Sequence, residues 1–217
     1  MNWLDKRRSS MEKFGNWIEL KTVVRMPEVI AEMAINFAET FDLGQDIQSD
    51  NSYGGLDLFN GYKEYSRWMN IDSNDWLVEI GNVYEYIKQN MESNHPSDIV
   101  ILVPDSNYGI KCVNYFKQRK VDVNHVFSPQ EGEKQYNHKK SFWMGDSRLK
   151  ISTIHSFKGW EVLNVILFIP DHIMGEKHLF DKLMYVAMTR TKQNLIVLNS
   201  NERYREFSDN LSNQWNN

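Results

Sequence analysis

A cluster of polar residues with phosphate-binding chemistry separates two apolar segments in the last third of the sequence. It combines hydroxyl, imidazole, amine, glycine and carboxylate groups, supplied by Thr153, His155, Ser156, Lys158, Gly159 and Glu161. Hydroxyls and backbone N–H groups hold phosphate oxygens, and a glycine permits a close backbone approach. Ligands of open α/β sheets bind beyond the carboxyl ends of strands, so a cluster that follows a strand is placed to meet a ligand. A hydrogen-bonded loop histidine is the alternative interpretation of His155.

Two arginines stand in segments that could face a bound nucleotide. Arg190 lies near the end of the helical segment 183–192, and Arg25 lies where a short strand turns into a helix. An arginine directed at a neighbouring nucleotide stabilises the charge on a transferring phosphoryl group. A lone arginine is more often a surface or salt-bridged residue. The functional interpretation therefore depends on the order and content of all three segments together.

The sequence lacks the loop that would cradle the phosphates. No Gly-x-x-x-x-Gly-Lys-[Ser/Thr] pattern occurs in it, and no Asp-Glu pair follows an apolar strand. Mg²⁺ and the β-phosphate then have no proper holders within these residues. These residues therefore do not form a complete nucleotide site by themselves.

The bulk composition excludes several classes of protein. Its net charge of −4 argues against a uniformly basic nucleic-acid coat but leaves room for a local basic track. A single cysteine, Cys112, excludes an internal disulfide and argues against a cysteine-based zinc site. No apolar run approaches the roughly 20 residues that span a bilayer, and residues 1–10 lack the apolar stretch of a signal peptide. These features lead us to expect a cytoplasmic protein without a membrane partner.

Strands and helices alternate along the chain. Apolar patterns predict strands over 17–24, 62–71, 98–104, 121–127, 149–154, 163–169 and 194–199. Helical spacing predicts helices over 28–41, 75–91, 107–118 and 180–192. This alternation, with strands as apolar as 98–104, predicts an α/β fold with a mainly parallel sheet flanked by helices.

Three motifs resemble those of superfamily 1 helicases of the UvrD/Rep kind. The sequence Thr-Ile-His-Ser-Phe-Lys-Gly-Trp-Glu over 153–161 resembles motif V, and Tyr-Val-Ala-Met-Thr-Arg, which ends at Arg190, resembles motif VI. The sequence Val-Arg-Met-Pro-Glu-Val-Ile over 24–30 resembles a diverged motif IV, where the family has an Asn-Tyr-Arg-Ser type sequence. The resemblance spans roughly residues 18–198. It implies a RecA-like helicase C-terminal domain, the P-loop NTPase fold without a Walker A loop, over 17–200.

The resemblance also implies a role for each matching residue. Arg25 and Arg190 are expected to reach the γ-phosphate of ATP as finger-type arginines, Glu161 to bind the ribose, and Gly159 to lie near the nucleotide. The expected contacts with single-stranded nucleic acid come from Thr153, His155, Ser156 and Lys158. The expected cofactor is ATP with Mg²⁺, and the metal is held mainly by an N-terminal RecA-like domain supplied in cis or in trans. Single-stranded DNA is the expected polymer, and RNA is not excluded.

The sequence also leads to expectations for the segments outside the three motifs. Residues 1–16 are expected to be an N-terminal cap or the remnant of a longer segment, and 201–217 a polar tail. Residues 42–97 have room for a reduced form of the accessory insertion found in full-length family members. The basic aromatic stretch 139–143 could stack a base with Trp143, or pack that side chain on the core.

Two other functions are considered for the same residues. One is a regulatory module that keeps the helicase fold and binds nucleic acid or protein without catalysis. The other is an unrelated α/β enzyme for small molecules, which would require a self-contained catalytic constellation that the sequence does not contain.

Overall fold

The computed structural model of the chain describes residues 26–43, 65–91, 94–127, 142–173 and 175–215. The α-helices in these ranges are α1 Glu28–Thr40, α2 Trp76–Asn90, α3 Ser106–Gln118, α4 Lys177–Met188 and α5 Arg205–Trp215. The strands in the same ranges are β1 Tyr65–Asn70, β2 Ile99–Val103, β3 Val123–His125, β4 Leu149–Thr153, β5 Val162–Ile169 and β6 Thr191–Asn199. Two short 3₁₀ turns cover Pro96–Asp98 and Glu202–Tyr204.

The strands form one six-stranded sheet in the order β1-β6-β5-β2-β4-β3. Every neighbouring pair in it is parallel. All five residues of β2 are buried, as a central strand covered on both faces requires. Helices α2 and α4 pack on β5 and β6, and α3 packs on β2, β3 and β4. The predicted α/β fold with a parallel sheet flanked by helices is confirmed.

The region considered for a reduced insertion contributes directly to this sheet. Residues 65–70 form β1, which is the outermost described strand on its side of the sheet and pairs along its whole length with β6. Helix α2 packs on the neighbouring strands, where Trp76 stacks on Phe168 with 4.6 Å between ring centroids. Residues 44–64 lie outside the described residues. The reduced insertion within 42–97 therefore stays a prediction.

The C-terminal residues also differ from the expected polar tail. Residues 205–215 form helix α5, which contacts β1 and α1. Tyr204, Phe207 and Leu211 are buried, and their spacing of three and four residues places them on one face of a helical segment. Polar residues outnumber apolar ones over 205–215, so the composition alone suggests a polar tail. The domain boundaries themselves stay predictions.

The cysteine on α3 offers a simple chemical test of this packing. Cys112 has no exposed surface, and burial raises the pKa of its thiol. We expect iodoacetamide to leave Cys112 unmodified in the folded chain and to alkylate it fully after unfolding in urea, because only an accessible thiolate reacts. Mass spectrometry after timed labelling measures this difference. Rapid alkylation of the folded chain would contradict the placement of α3 against the sheet.

Two features of other protein classes are not found in the described ranges. None of the helices there is long and apolar enough to cross a membrane. No cluster of three or more His, Cys, Asp or Glu side chains within the same ranges is arranged to hold a metal ion.

Candidate functional site

The polar cluster of 153–161 runs from the carboxyl end of one strand to the amino end of another. It begins at Thr153, the last residue of β4, and ends just before Val162, the first residue of β5. Both strands are parallel to β2, which lies between them, so the connection has to return along the sheet. Because β4 has five residues, the connection has to span about 16 Å along the strand direction. We call the side where β4 ends the carboxyl edge and the side where β5 begins the amino edge.

At the carboxyl edge, Thr153 organises a tight turn. Its Oγ1 donates a hydrogen bond to Ser156 Oγ at 3.0 Å and accepts one from the Ser156 backbone N–H at 3.1 Å. The backbone N–H of Phe157 donates to the Thr153 carbonyl at 3.0 Å, and the ring of Phe157 is fully buried. This anchoring leaves the side chains of His155 and Lys158 exposed. The turn therefore presents an imidazole and an amine next to two hydroxyls.

Gly159 is required by its backbone conformation. Its φ is +93°, a region that side-chain-bearing residues rarely adopt. Among the described residues, no atom beyond its chain neighbours lies within 4 Å of where a Cβ would stand. The close approach of a ligand to this backbone stays a prediction.

At the amino edge, Arg190 lies in the turn between α4 and β6. The sequence pattern placed it within a helix, but the helix ends at Met188 and β6 begins at Thr191, because Thr191 pairs with Val162. Arg190 Nε donates to the Val186 carbonyl at 3.1 Å, and Nη2 donates to Thr189 Oγ1 at 3.2 Å. These bonds cap the carboxyl end of α4, where cations are favoured. Within the described ranges, no carboxylate forms an ion pair with Arg190.

Glu161 lies at the same edge as Arg190. It precedes Val162, whose backbone N–H donates to the Arg190 carbonyl at 3.1 Å. Its carboxylate Oε2 lies 3.4 Å from Nζ of Lys192, and both side chains are partly exposed. Such a surface ion pair contributes at most about 1 kcal/mol.

Two residues of this edge were not among the predicted site residues. Thr189 supplies the hydroxyl that holds the Arg190 guanidinium, and Lys192 supplies the cation beside Glu161. Both flank Arg190 in the sequence, within the segment that resembles motif VI and its continuation into β6. Their hydroxyl and amine chemistry was visible in the sequence, but their contacts depend on where α4 ends.

A further charged residue near this edge, Lys150, has a structural role. Lys150 in β4 has no exposed surface, and its Nζ donates to the carbonyls of Ser97 at 2.8 Å and Asp146 at 2.9 Å. Burial lowers the pKa of Lys150, and the nearby carboxylates of Asp146 and Asp98 oppose that shift. These contacts tie two loops to the sheet, so this amine is not available to a nucleotide.

The structure brings together some of the predicted residues and separates others. Thr153, His155 and Ser156 share the carboxyl edge, whereas Glu161 and Arg190 share the amino edge. Arg25 and the lysines of 134–140 lie outside the described residues, so their roles stay predictions. Of the aromatic stretch, Phe142 is buried in the core, whereas Trp143 is 62% exposed.

Comparison with known proteins supports the resemblance. The sequence profile of the UvrD-like helicase C-terminal domain matches residues 149–198, which include the segments likened to motifs V and VI. No curated protein sequence matches the chain significantly. Among solved structures, the C-terminal domain of a possible DNA helicase from Lactobacillus plantarum is similar at 9% identity. That alignment has a TM-score of 0.52 and covers 80% of this chain and 85% of that chain.

A second solved structure is less similar. It is domain 2 of the DEAD-box helicase Mss116p bound to an RNA duplex, with 15% identity and a TM-score of 0.44. The alignment covers 71% of this chain and 61% of that chain. The first structure shows a shared fold with a helicase C-terminal domain, and the profile match confirms the recognition of a UvrD-like helicase C-terminal domain over residues 149–198.

Proposed function

We propose that this chain acts as the C-terminal motor domain of a UvrD/Rep-like DNA helicase or translocase. In this proposal the amino edge completes an ATP site whose Walker A loop comes from another RecA-like domain, in cis or in trans. The carboxyl edge contacts single-stranded DNA. The observation that carries the proposal is the connection 154–161, which joins a hydroxyl-rich turn at one edge to Glu161 and Arg190 at the other.

The chemistry of the amino edge suits the outer half of a nucleotide site. Phosphoryl transfer needs fixed cations where negative charge develops, and Arg190 brings a planar guanidinium that is always charged. Its present bonds are to a carbonyl and a hydroxyl, and both are weaker acceptors than a phosphate. In this proposal the Glu161 carboxylate accepts a hydrogen bond from a ribose hydroxyl. Mg²⁺ would be held mainly by the domain that carries the Walker A loop.

The chemistry of the carboxyl edge suits a nucleic-acid backbone. Hydroxyl, imidazole and amine groups at Thr153, Ser156, His155 and Lys158 can all contact phosphate oxygens. Such contacts position a strand without reading its sequence. The same groups would accept an RNA phosphate, so the proposed preference for DNA rests on the resemblance to UvrD/Rep-like helicases.

Binding of single-stranded DNA tests the carboxyl edge. We expect Thr153→Ala and His155→Ala each to weaken binding of a fluorescein-labelled oligo(dT) about three- to tenfold, the usual loss for one hydrogen bond. Fluorescence anisotropy at several salt concentrations gives the dissociation constants. Affinity should fall as salt rises, because phosphate contacts release counterions.

Matched substitutions outside the turn control for non-specific effects. Thr40→Ala removes an exposed hydroxyl that bonds only within α1, and His95→Ala removes an exposed imidazole beside the turn Pro96–Asp98. Both variants should bind oligo(dT) as the unmodified chain does. Binding that does not depend on salt, or that falls equally in test and control variants, would contradict the proposed contacts.

A further inference from the structure

A buried carboxylate lies in the helix that leads to Arg190. Asp181 is in the second turn of α4, and its side chain has no exposed surface. Carboxylates are almost never fully buried unless they are paired, because desolvation of an unpaired charge is costly. The proposed nucleotide and nucleic-acid contacts make no use of this residue.

Both partners of Asp181 come from the segment that follows β6. Arg203 forms a two-bond fork, with Nη2 at 2.7 Å from Oδ2 and Nε at 3.3 Å from Oδ1. The hydroxyl of Tyr204 donates to Oδ1 at 2.6 Å. Burial and this hydrogen bond raise the pKa of Tyr204, so its hydroxyl stays a donor at neutral pH. We call Asp181, Arg203 and Tyr204 the Asp181 cluster.

The segment that carries these partners is fixed at the carboxyl edge. Asn201 Nδ2 donates to the carbonyls of Pro170 at 3.0 Å and Asp171 at 2.8 Å, directly after β5. The guanidinium of Arg203 also lies 5.0 Å from the ring centroid of Phe41, at the end of α1. Asp181 is thus held by groups that are themselves attached to β5 and to α1.

Helix α4 connects Asp181, in its second turn, to Arg190 at the amino edge. The helix begins beyond the carboxyl end of β5 and ends before the amino end of β6, so it runs back along the sheet. Arg190 is nine positions after Asp181, about 13 Å away at the helical rise. Its carbonyl accepts the backbone hydrogen bond from Val162 at 3.1 Å. A shift of α4 along its axis would therefore move Arg190 against the first residue of β5.

We propose that the Asp181 cluster positions Arg190, so that Asp181, Arg203 and Tyr204 are positioning residues for the ATP site. This inference rests on the proposed function for its catalytic consequence. The placement of α4 by the cluster can be tested on the isolated chain. In this arrangement, the segment after β6 sets where the arginine of the α4–β6 turn lies relative to β5.

Hydrogen exchange at Val162 tests the positioning directly. In Tyr204→Phe, which keeps the ring and removes only the hydroxyl, and in Asp181→Asn, we expect the Val162 amide to exchange at least about tenfold faster. The Val165 amide, in the middle of β5, should keep its rate. Arg205→Gln removes a surface arginine paired with Glu202 in the same segment and should change neither rate.

The amide exchange rates at Val162 and Val165, measured by NMR, test the positioning role without any activity measurement. Unchanged exchange at Val162 in Tyr204→Phe and Asp181→Asn would overturn the proposal. Equal acceleration at Val162 and Val165 would also overturn it, because that pattern reports a general loss of stability.

ATP turnover in a preparation that supplies the Walker A domain tests the catalytic consequence. In Tyr204→Phe we expect kcat to fall about tenfold while KM for ATP changes less than twofold, because binding is retained and orientation is lost. Arg203→Lys keeps the charge but cannot form the fork, so it should keep the unfolding midpoint of the unmodified chain while its kcat falls. A kcat equal to that of the unmodified chain would overturn the positioning role.

The failures of the two proposals are distinguishable. If the unmodified chain supports no ATP turnover with any Walker A domain, the proposed motor function fails, and the exchange rates at Val162 still decide the role of the Asp181 cluster. If turnover is present and insensitive to Tyr204→Phe, the positioning role fails while the motor function stands.

Discussion

Arg190→Ala should reduce ATP turnover at least about 1,000-fold in a preparation that combines this chain with the domain carrying the Walker A loop, the usual loss for an arginine finger. The guanidinium supplies positive charge where the transferring phosphoryl group gains negative charge, and alanine cannot replace it. Arg190→Lys should recover only part of the rate, since an ammonium lacks the planar fork. Steady-state release of phosphate measures all three rates.

A matched control separates loss of this guanidinium from loss of surface charge. Arg119→Ala removes an exposed arginine whose Cζ lies 3.5 Å from the ring centroid of Tyr115. The ATP turnover of this variant should equal that of the unmodified chain. The chain by itself should show only background turnover. Robust turnover by the chain alone, or an unchanged rate in Arg190→Ala, would refute the finger assignment and favour a regulatory module with a helicase fold.

Phe37→Ala should lower the free energy of unfolding by about 3–5 kcal/mol, because it removes the centre of a buried aromatic cluster and leaves a cavity. Phe37 has no exposed surface, and its ring centroid lies 6.0 Å from that of Trp68, 5.8 Å from Tyr204 and 5.3 Å from Phe207. These rings join α1, β1 and the segment through α5. Urea unfolding followed by tryptophan fluorescence measures the change.

The control for this prediction is another large apolar side chain in a helix. Leu179 in α4 is 62% exposed, and Leu179→Ala should change the free energy of unfolding by less than about 0.5 kcal/mol. If Phe37→Ala costs as little as Leu179→Ala, the C-terminal helix is not packed on the domain as described.

Local patterns in the sequence were sufficient for most of the elements. The apolar run 98–104 predicted β2, because only a central parallel strand buries such a run on both faces. Helical spacing likewise predicted α2 and α3 to within one or two residues. In contrast, the sequence does not predict α5, because polar residues outnumber the apolar ones in it and too few apolar residues are present to stand out as a stripe.

The separation of the site into two edges could not be predicted from local patterns. It depends on strand direction, since β4 and β5 both run parallel to β2, so the end of β4 and the start of β5 lie at opposite edges. Local patterns do not give the direction of each strand, so Thr153 and Glu161 read as members of one loop. The position of Arg190 after α4, rather than within it, depends on the pairing of Thr191 with Val162, which are distant in the chain. Arg25 remains a prediction from the motif alone.

The strand order also sets the sequence of events while the chain is being synthesised. β1 has β6 as its neighbour in the sheet, and the paired side chains Asn70 and Asn199 are 129 positions apart. A ribosome needs on the order of ten seconds to translate that interval, during which the partner strand β6 is not yet complete. β2, β4 and β5 can assemble earlier, because all three precede β6. β6 is therefore the last of these six strands to be synthesised, and its first residue directly follows Arg190. In a nascent chain, Arg190 and the strand that connects β1 to β5 therefore become available at the same stage.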